Sequence, residues 1–329
     1  MRYNNGTILR ACIGIAICTR FLAAQVQFTQ ENGRIRVDID GRPFTAFYAN
    51  ADTTKPFLHP LRTTTGLAVT RFYPTELAEG ERTDHVHQRG LWFGHGNVNG
   101  FDFWANDASQ QGKKRGRIVT APGIKLTPGR ASGTIDAKFD WVDSNGHVLL
   151  KEVRRMTFYS DAERRTVDFD IQLTAQDQVK FGDTKEGTFG MRLAPWLEEA
   201  QKDAPRHPKR TGIMTNAEGL SGEQAVWGKP SPWLDYSGNY EGEQAGIAVF
   251  DHPENPRYPA YWHVRGYGLL AANIFGLHDF TRDKSKDGSL TLEPRGTLRF
   301  RYRVVIHSGD AEAADLKKLY SVYTAKSKP

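Results

Sequence analysis

Residues 298–307 place Leu298, Phe300, Tyr302, Val304 and Ile306 on one face of an extended chain and Arg299, Arg301 and Arg303 on the other. The same two-residue period recurs in Arg34–Asp40 (Ile35, Val37, Ile39), Thr134–Val142 (Ile135, Ala137, Phe139, Trp141) and Arg165–Thr174 (Val167, Phe169, Ile171, Leu173). A helix places side chains every 3.6 residues and cannot keep such a pattern on one face. Asn145-Gly146, between two alternating runs, is a strong signal for a tight hairpin. The sum is about a dozen strands, by the alternation rule. With no helical period between them, they predict antiparallel sheets packed as a sandwich rather than parallel βαβ units. One helix is expected, Asp310–Tyr323, with Leu316, Leu319, Tyr320 and Tyr323 as its apolar face. Leu67–Tyr73 reads as a further strand, and Lys202–Tyr240, rich in Pro, Gly and charge, as a long surface excursion or lid.

The first 24 residues have the form of an export signal. Arg2 and Arg10 precede the apolar run Ala11–Cys18, and Leu22-Ala23-Ala24 offers small residues for cleavage, with Arg20 as an irregularity. The run is too short to span a bilayer. The expected organisation is therefore a signal peptide, 1–24, and one β-sandwich domain, 25–329, placed in the periplasm or outside the cell. Cys12 and Cys18 both lie in the leader, so a mature chain has no thiol for a disulfide, a thiolate metal site or a nucleophile. The leader holds three Arg and no acids, so the formal net charge of +6 falls to +3 without it. The remaining basic residues alternate along strands instead of clustering, which argues against a nucleic-acid partner.

Three stretches mix polar groups, aromatics and glycines as the wall of a small-molecule pocket does. They are Asp84–Trp104, Phe181–Trp196 and Tyr261–Phe280. If they converge, His87, His95, Glu186, Arg192 and His263 are candidates for acid–base chemistry, which needs one group to give a proton and another to take it. Arg89, Trp92, Asn97, Asn99, Asp183, Lys185, Trp262 and Asn273 are candidates for holding a substrate, and Arg265 could join them. Trp92, Trp104, Trp196 and Trp262 offer flat faces to a sugar ring and the Asn side chains read hydroxyls. No cofactor is called for. The alternative is a divalent metal on Asp84, His85, His87 and His95, since imidazole and carboxylate suit Zn, Fe or Cu. Core aromatics and structural ion pairs account for many of the same residues.

The segments YPTELAEGERTDHVHQRGLWFGHGNVNGFDFW, FGDTKEGTFGMRLAP, YWHVRGYGLLAANIFGLHDF and LEPRGTLRFRYRVVIHSGD resemble the secreted bacterial family that carries the name "methane oxygenase PmoA". The resemblance runs from about residue 44 to 323. It implies no catalytic assignment: a particulate methane oxygenase subunit is a bundle of membrane helices, and no such span follows the leader here. Leu292-Glu-Pro-Arg-Gly-Thr-Leu298 and the strand after it are similar to the closing strands of galactose-mutarotase-like sandwiches. That likeness implies a supersandwich that binds a sugar on a concave sheet, with His and Glu as acid and base. The expectation is thus a carbohydrate-active protein, a cofactor-independent epimerase, lyase or hydrolase rather than an oxygenase. A metal-dependent enzyme and a non-catalytic glycan-binding protein stand as the alternatives.

Overall fold

The computed structural model describes Met1 and residues 25–112, 114–200 and 209–325. The leader therefore lies outside the described residues. Along the chain run β1 (Val26–Glu31), β2 (Arg34–Ile39), β3 (Arg42–Tyr48), β4 (Phe57–His59), β5 (Leu91–His95), β6 (Arg117–Thr120) and β7 (Lys125–Thr127). There follow β8 (Ser132–Val142), β9 (Val148–Tyr159), β10 (Arg165–Ala175), β11 (Val179–Phe181), β12 (Gly187–Arg192) and β13 (Ile213–Asn216). A short helix α1 (Glu223–Val226) leads to β14 (Trp233–Tyr240), β15 (Glu243–Asp251), β16 (Tyr261–Arg265) and β17 (Leu269–Asn273). The chain closes with α2 (Leu277–Thr281), β18 (Leu290–Leu292), β19 (Thr297–Ser308) and α3 (Leu316–Ala325).

Every strand pairing named here is antiparallel. The first sheet has the order β1-β2-β3-β4-β5-β12-β17-β16, the second β13-β14-β15-β19-β10-β9-β8-β6, and β11 pairs with β18 apart from both. Alternation through β8 and through most of β9, β10 and β19 gives each a buried and a more exposed face. The buried faces of the two sheets form one core: Phe93 of β5 packs on Trp141 of β8 and Phe300 of β19, and Phe189 of β12 stacks on Tyr302 at 4.4 Å. The solvated face of the second sheet is laced with ion pairs such as Arg303–Asp168 and Arg155–Asp136, both at 2.6 Å. The protein is thus an all-β antiparallel sandwich with a C-terminal helix.

The β8–β9 hairpin turns where Asn145-Gly146 predicts it. Asp143 accepts hydrogen bonds from the backbone of Asn145 and His147, and Gly146 supplies a φ of 85°. Three expectations are corrected. Leu67–Tyr73 forms only isolated bridges, Arg62 with Ala68 and Thr70 with Leu193, because Arg71 turns away to serve a loop. The supposed excursion contains β13 and β14, strands of the second sheet. The polar Asp235 and Ser237 that disguise β14 are buried there. Residues 201–208 of that stretch lie outside the described residues. The terminal helix begins at Leu316 rather than Asp310, whose carboxylate caps a preceding turn at Ala313.

A candidate acid–base cleft on the outer face of the first sheet

β5, β12, β17 and β16 are neighbours in the first sheet, so the three polar and aromatic stretches meet. The register aligns Trp92, Gly190, Ala271 and His263 in one row across it. Trp92 and Ala271 belong to a small apolar cluster on the outer face, whereas Phe93, Phe189, Ala272 and Trp262 face the main core. His263 and Arg265 therefore project outward, and Val264 between them projects inward. Above this face lies a cleft of about 290 Å³, walled by His85, His87, Gln88, Lys185, Glu186, His263, Arg265 and Tyr267, with Ala105 and Gln110 closing it.

The wall formed by residues 84–88 has no regular secondary structure. Buried Arg71 holds it in place. Its Nη1 donates to the backbone oxygens of Arg82 and Asp84 and to the Asp84 carboxylate, and its Nη2 donates to the backbone oxygens of His85 and Gln88. A guanidinium is the side chain that can serve several carbonyls in one plane. His85 sits at the bend with φ 46°, a left-handed conformation that disfavours any residue with a Cβ. Arg192, also fully buried, lies beneath the same wall. Nη2 donates to Asp84 Oδ1 at 3.0 Å, Nη1 donates to Gln88 Oε1 at 2.6 Å, and the guanidinium stacks 4.4 Å from the Tyr267 ring. Burial works to raise the Asp84 carboxyl, but the hydrogen bond from His85 and the charges of Arg192 and Arg71 outweigh it and hold the group well below the usual range.

Asp84 Oδ2 lies 3.2 Å from His85 Nδ1, and the His85 ring stacks on Tyr267 at 5.3 Å. His85 is thus held between a carboxylate and an aromatic face, beside the His87 ring at 5.7 Å. Across the cleft His263 is set differently. Its Nδ1 lies 2.9 Å from the backbone oxygen of Lys185. A carbonyl only accepts, so Nδ1 carries the proton and Nε2 keeps its lone pair. Burial, with the charges of Arg265 and Lys185, pushes His263 down to about 3, so the ring is neutral at physiological pH. Glu186 and Lys185 are about one-third exposed and lie 3.6 Å apart. The cleft therefore offers a neutral imidazole, an imidazole paired with a carboxylate, the Glu186 carboxylate beside Lys185, and a second cation in Arg265.

Of the residues expected at a site, His87, Glu186, Lys185, His263 and Arg265 line this cleft, with His85 from the metal alternative. Arg192 reaches it only through Gln88, Asp84 and Tyr267. The grouping of His95 with them is corrected. It lies two residues beyond Phe93 on β5 and shares its inward face, packed on Phe275 at 4.6 Å with Nε2 against the Gly182 carbonyl. Burial lowers it to about 4. The four-residue metal set is thus split between two faces of a sheet, and Asp84 is engaged by both Arg71 and Arg192. Among the described residues no three His, Cys, Asp or Glu side chains are grouped to hold a metal ion.

Several expected binding residues shape the cleft without lining it. Trp262 faces the core and donates to Ser231. Trp92 faces the right side but is covered by Trp104, 4.8 Å away, which itself lies on Gly190, where a Cβ would meet the indole at 2.4 Å. Trp196 is core, donating to the Ala68 carbonyl. Arg89 pairs with Asp107 at 2.6 Å. Asn97 and Asn99 serve turns, through Gly100 and Lys180. Asp183 binds the His278 ring and the backbone of His278 and Gly288. Asn273 donates to the Thr184 carbonyl and accepts from Phe275, anchoring the loop that carries Lys185 and Glu186. Gln88, Gln110 and Tyr267 join the cleft without having been expected there. Tyr267 lies in a Gly-Tyr-Gly turn, and nothing in its local pattern sets it apart from a core aromatic.

Residues 34–321 match the model of a family described as a family of unknown function, DUF6807. No curated protein matches the chain. Among solved structures the chain is similar to the α-galactosidase from Lactobacillus brevis at 10% identity, covering 87% of this chain and 40% of that one with a TM-score of 0.40. It is similar to a galactose mutarotase-like protein from Clostridium acetobutylicum at 9% identity, covering 85% and 94% with a TM-score of 0.38. The chain spans about two fifths of the length of the α-galactosidases it resembles. No helix among the described residues is long and apolar enough to cross a membrane.

Proposed function

The chain belongs to the family of unknown function DUF6807, and from that footing we propose an exported protein that binds a monosaccharide or a derivative of one and acts on it by acid–base chemistry. One observation carries this reading: two imidazoles with opposite settings face one cleft. His263, neutral with Nδ1 tied to a carbonyl, keeps an unprotonated Nε2. His85 faces the same cleft with Nδ1 3.2 Å from the Asp84 carboxylate. Two imidazoles held by different partners, one by a carbonyl and one by a carboxylate, can divide the giving and taking of a proton between them. Glu186 is the further group within the cleft able to exchange a proton.

The size of the cleft supports a single sugar unit. About 290 Å³ is at the lower end of the roughly 300–1,000 Å³ of small-molecule pockets. The Tyr267 ring and the Trp92–Trp104 cluster beneath it give an apolar floor, and the histidines, Gln88, Glu186 and Lys185 give hydroxyl partners. The test is a thermal-shift screen of monosaccharides against the mature protein, since a ligand that binds only the native state raises its melting temperature. Turnover of any hit is then followed by NMR for the wild type and for His263→Gln and His85→Gln. Loss of turnover with binding retained supports the reading. Unchanged turnover in both variants sinks it.

A further inference from the structure

Two cations line the cleft, and neither is closed onto its carboxylate. Lys185 Nζ lies 3.6 Å from Glu186 Oε1, and Arg265 Nη1 lies 3.5 Å from Glu223 Oε1. Neither contact is a hydrogen bond of the usual 2.7–3.2 Å. Ion pairs on the solvated faces do close, as in Arg303–Asp168 at 2.6 Å and Arg89–Asp107 at 2.6 Å. Both cations act on the same imidazole, His263, where their charges reinforce the effect of burial. Under the opposite wall, Arg71 and Arg192 share the one Asp84 carboxylate. Among the described residues, the only carboxylate lining the cleft itself is Glu186.

Resting on the reading of the cleft as a sugar site, we infer that its ligand is an acidic monosaccharide, one that bears a carboxylate, and that Arg265 and Lys185 receive that group. The planar fork of Arg265 matches a carboxylate, and Lys185 adds a point charge beside it. The sugar ring then lies toward Tyr267, and its carbon next to the carboxylate lies on the His263 side, between the two cations. Glu186 is left to bind a hydroxyl of the ring.

Isothermal titration calorimetry of the full mature chain with sodium glucuronate and galacturonate, against glucose and galactose, tests this. The uronates are expected to bind about tenfold or more tighter than the neutral sugars, the ratio that one charge-assisted hydrogen bond supports. Arg265→Gln and Lys185→Gln should each remove most of that preference, and raised ionic strength should narrow it. Lys185 is a partly exposed side chain, so its variant keeps the test open if Arg265→Gln, which loses its stacking on Trp227, does not fold. Neutral sugars that bind as tightly as the uronates overturn this inference and leave the sugar cleft standing. A preference that survives both substitutions overturns it too. Binding of neither class overturns the inference and the sugar reading together.

Discussion

The Nδ1 of His263 lies 2.9 Å from the backbone oxygen of Lys185, so the residue that anchors the ring also supplies one of the two charges that keep it neutral. Folding therefore depends on pH through this ring. An unfolded histidine titrates near its ordinary value of about 6.5, whereas His263 in the fold titrates at about 3. Between these values the unfolded chain binds more protons. Stability contributed here is complete above about pH 6.5 and declines as pH falls toward 3. Urea unfolding at pH 4 and pH 7 should show a smaller difference for His263→Gln than for the wild type. An equal difference refutes the assignment.

His307 has the opposite sign. Burial works to lower it, but the charge of Asp235 and the 2.9 Å contact from Nε2 outweigh that and raise it. The folded ring keeps its proton above the point where the unfolded ring loses it. The pair's contribution is full below about pH 6.5 and is lost as pH rises through the elevated folded value. His307→Gln should abolish the part of the alkaline fall in urea midpoint between pH 6 and pH 9 that this pair causes. Retention of the whole fall in the variant counts against the pair.

Arg71→Ala removes the single side chain that holds four backbone carbonyls and a carboxylate. Leaving a buried carbonyl without its donor costs about 1–3 kcal/mol. A loss of that size is expected in equilibrium unfolding, together with loss of ligand binding. Arg71→Lys should recover little of it, because an ammonium cannot span the same acceptors. Full rescue by lysine would mean that charge alone matters.

Gly190→Ala places a Cβ 2.4 Å from the Trp104 indole. Overpacking of this kind costs about 1–3 kcal/mol. The indole cannot sink into the sheet, so it and the adjoining Ala105 must move toward the cleft. Ligand affinity should fall even in protein that remains folded. Unaltered affinity in calorimetry would show that the floor is not transmitted to the site.

His95→Gln separates the two faces of the first sheet. His95 packs between Phe181 and Phe275 on the inward face, so the variant should lose stability yet bind ligand with unchanged affinity per folded molecule. A large loss of affinity in folded protein would place His95 in the site after all.

The sandwich was legible because alternation survives in the long strands of the second sheet. In β8 the period is clean throughout, and in β19 it holds until Val304, after which α3 covers Val305. The first sheet is less legible where it matters. β5 and β12 are buried on both faces, so Leu91–His95 and Gly187–Arg192 show no alternation at all. That is why His95 and His87 read as equivalent, although one faces the core and the other the cleft. Lys185, Glu186 and His263 were legible as residues but not as a set, since sheet order alone brings β12 and β16 within one strand of each other. The role of Arg71 left no local signal. Its partners lie 11 to 17 positions away in an irregular segment, and such hydrogen bonds follow no period.

The irregular wall at residues 84–88 is fastened by Arg71 from below, with His85 set in a left-handed conformation. A segment fixed in this way has already given up its conformational entropy when the chain folds, so little remains to be lost when a ligand arrives. The cleft should then behave as a preformed receptor. Association should need no slow ordering step, differences in affinity among related sugars should reside in their dissociation rates, and the free and occupied forms should be superimposable.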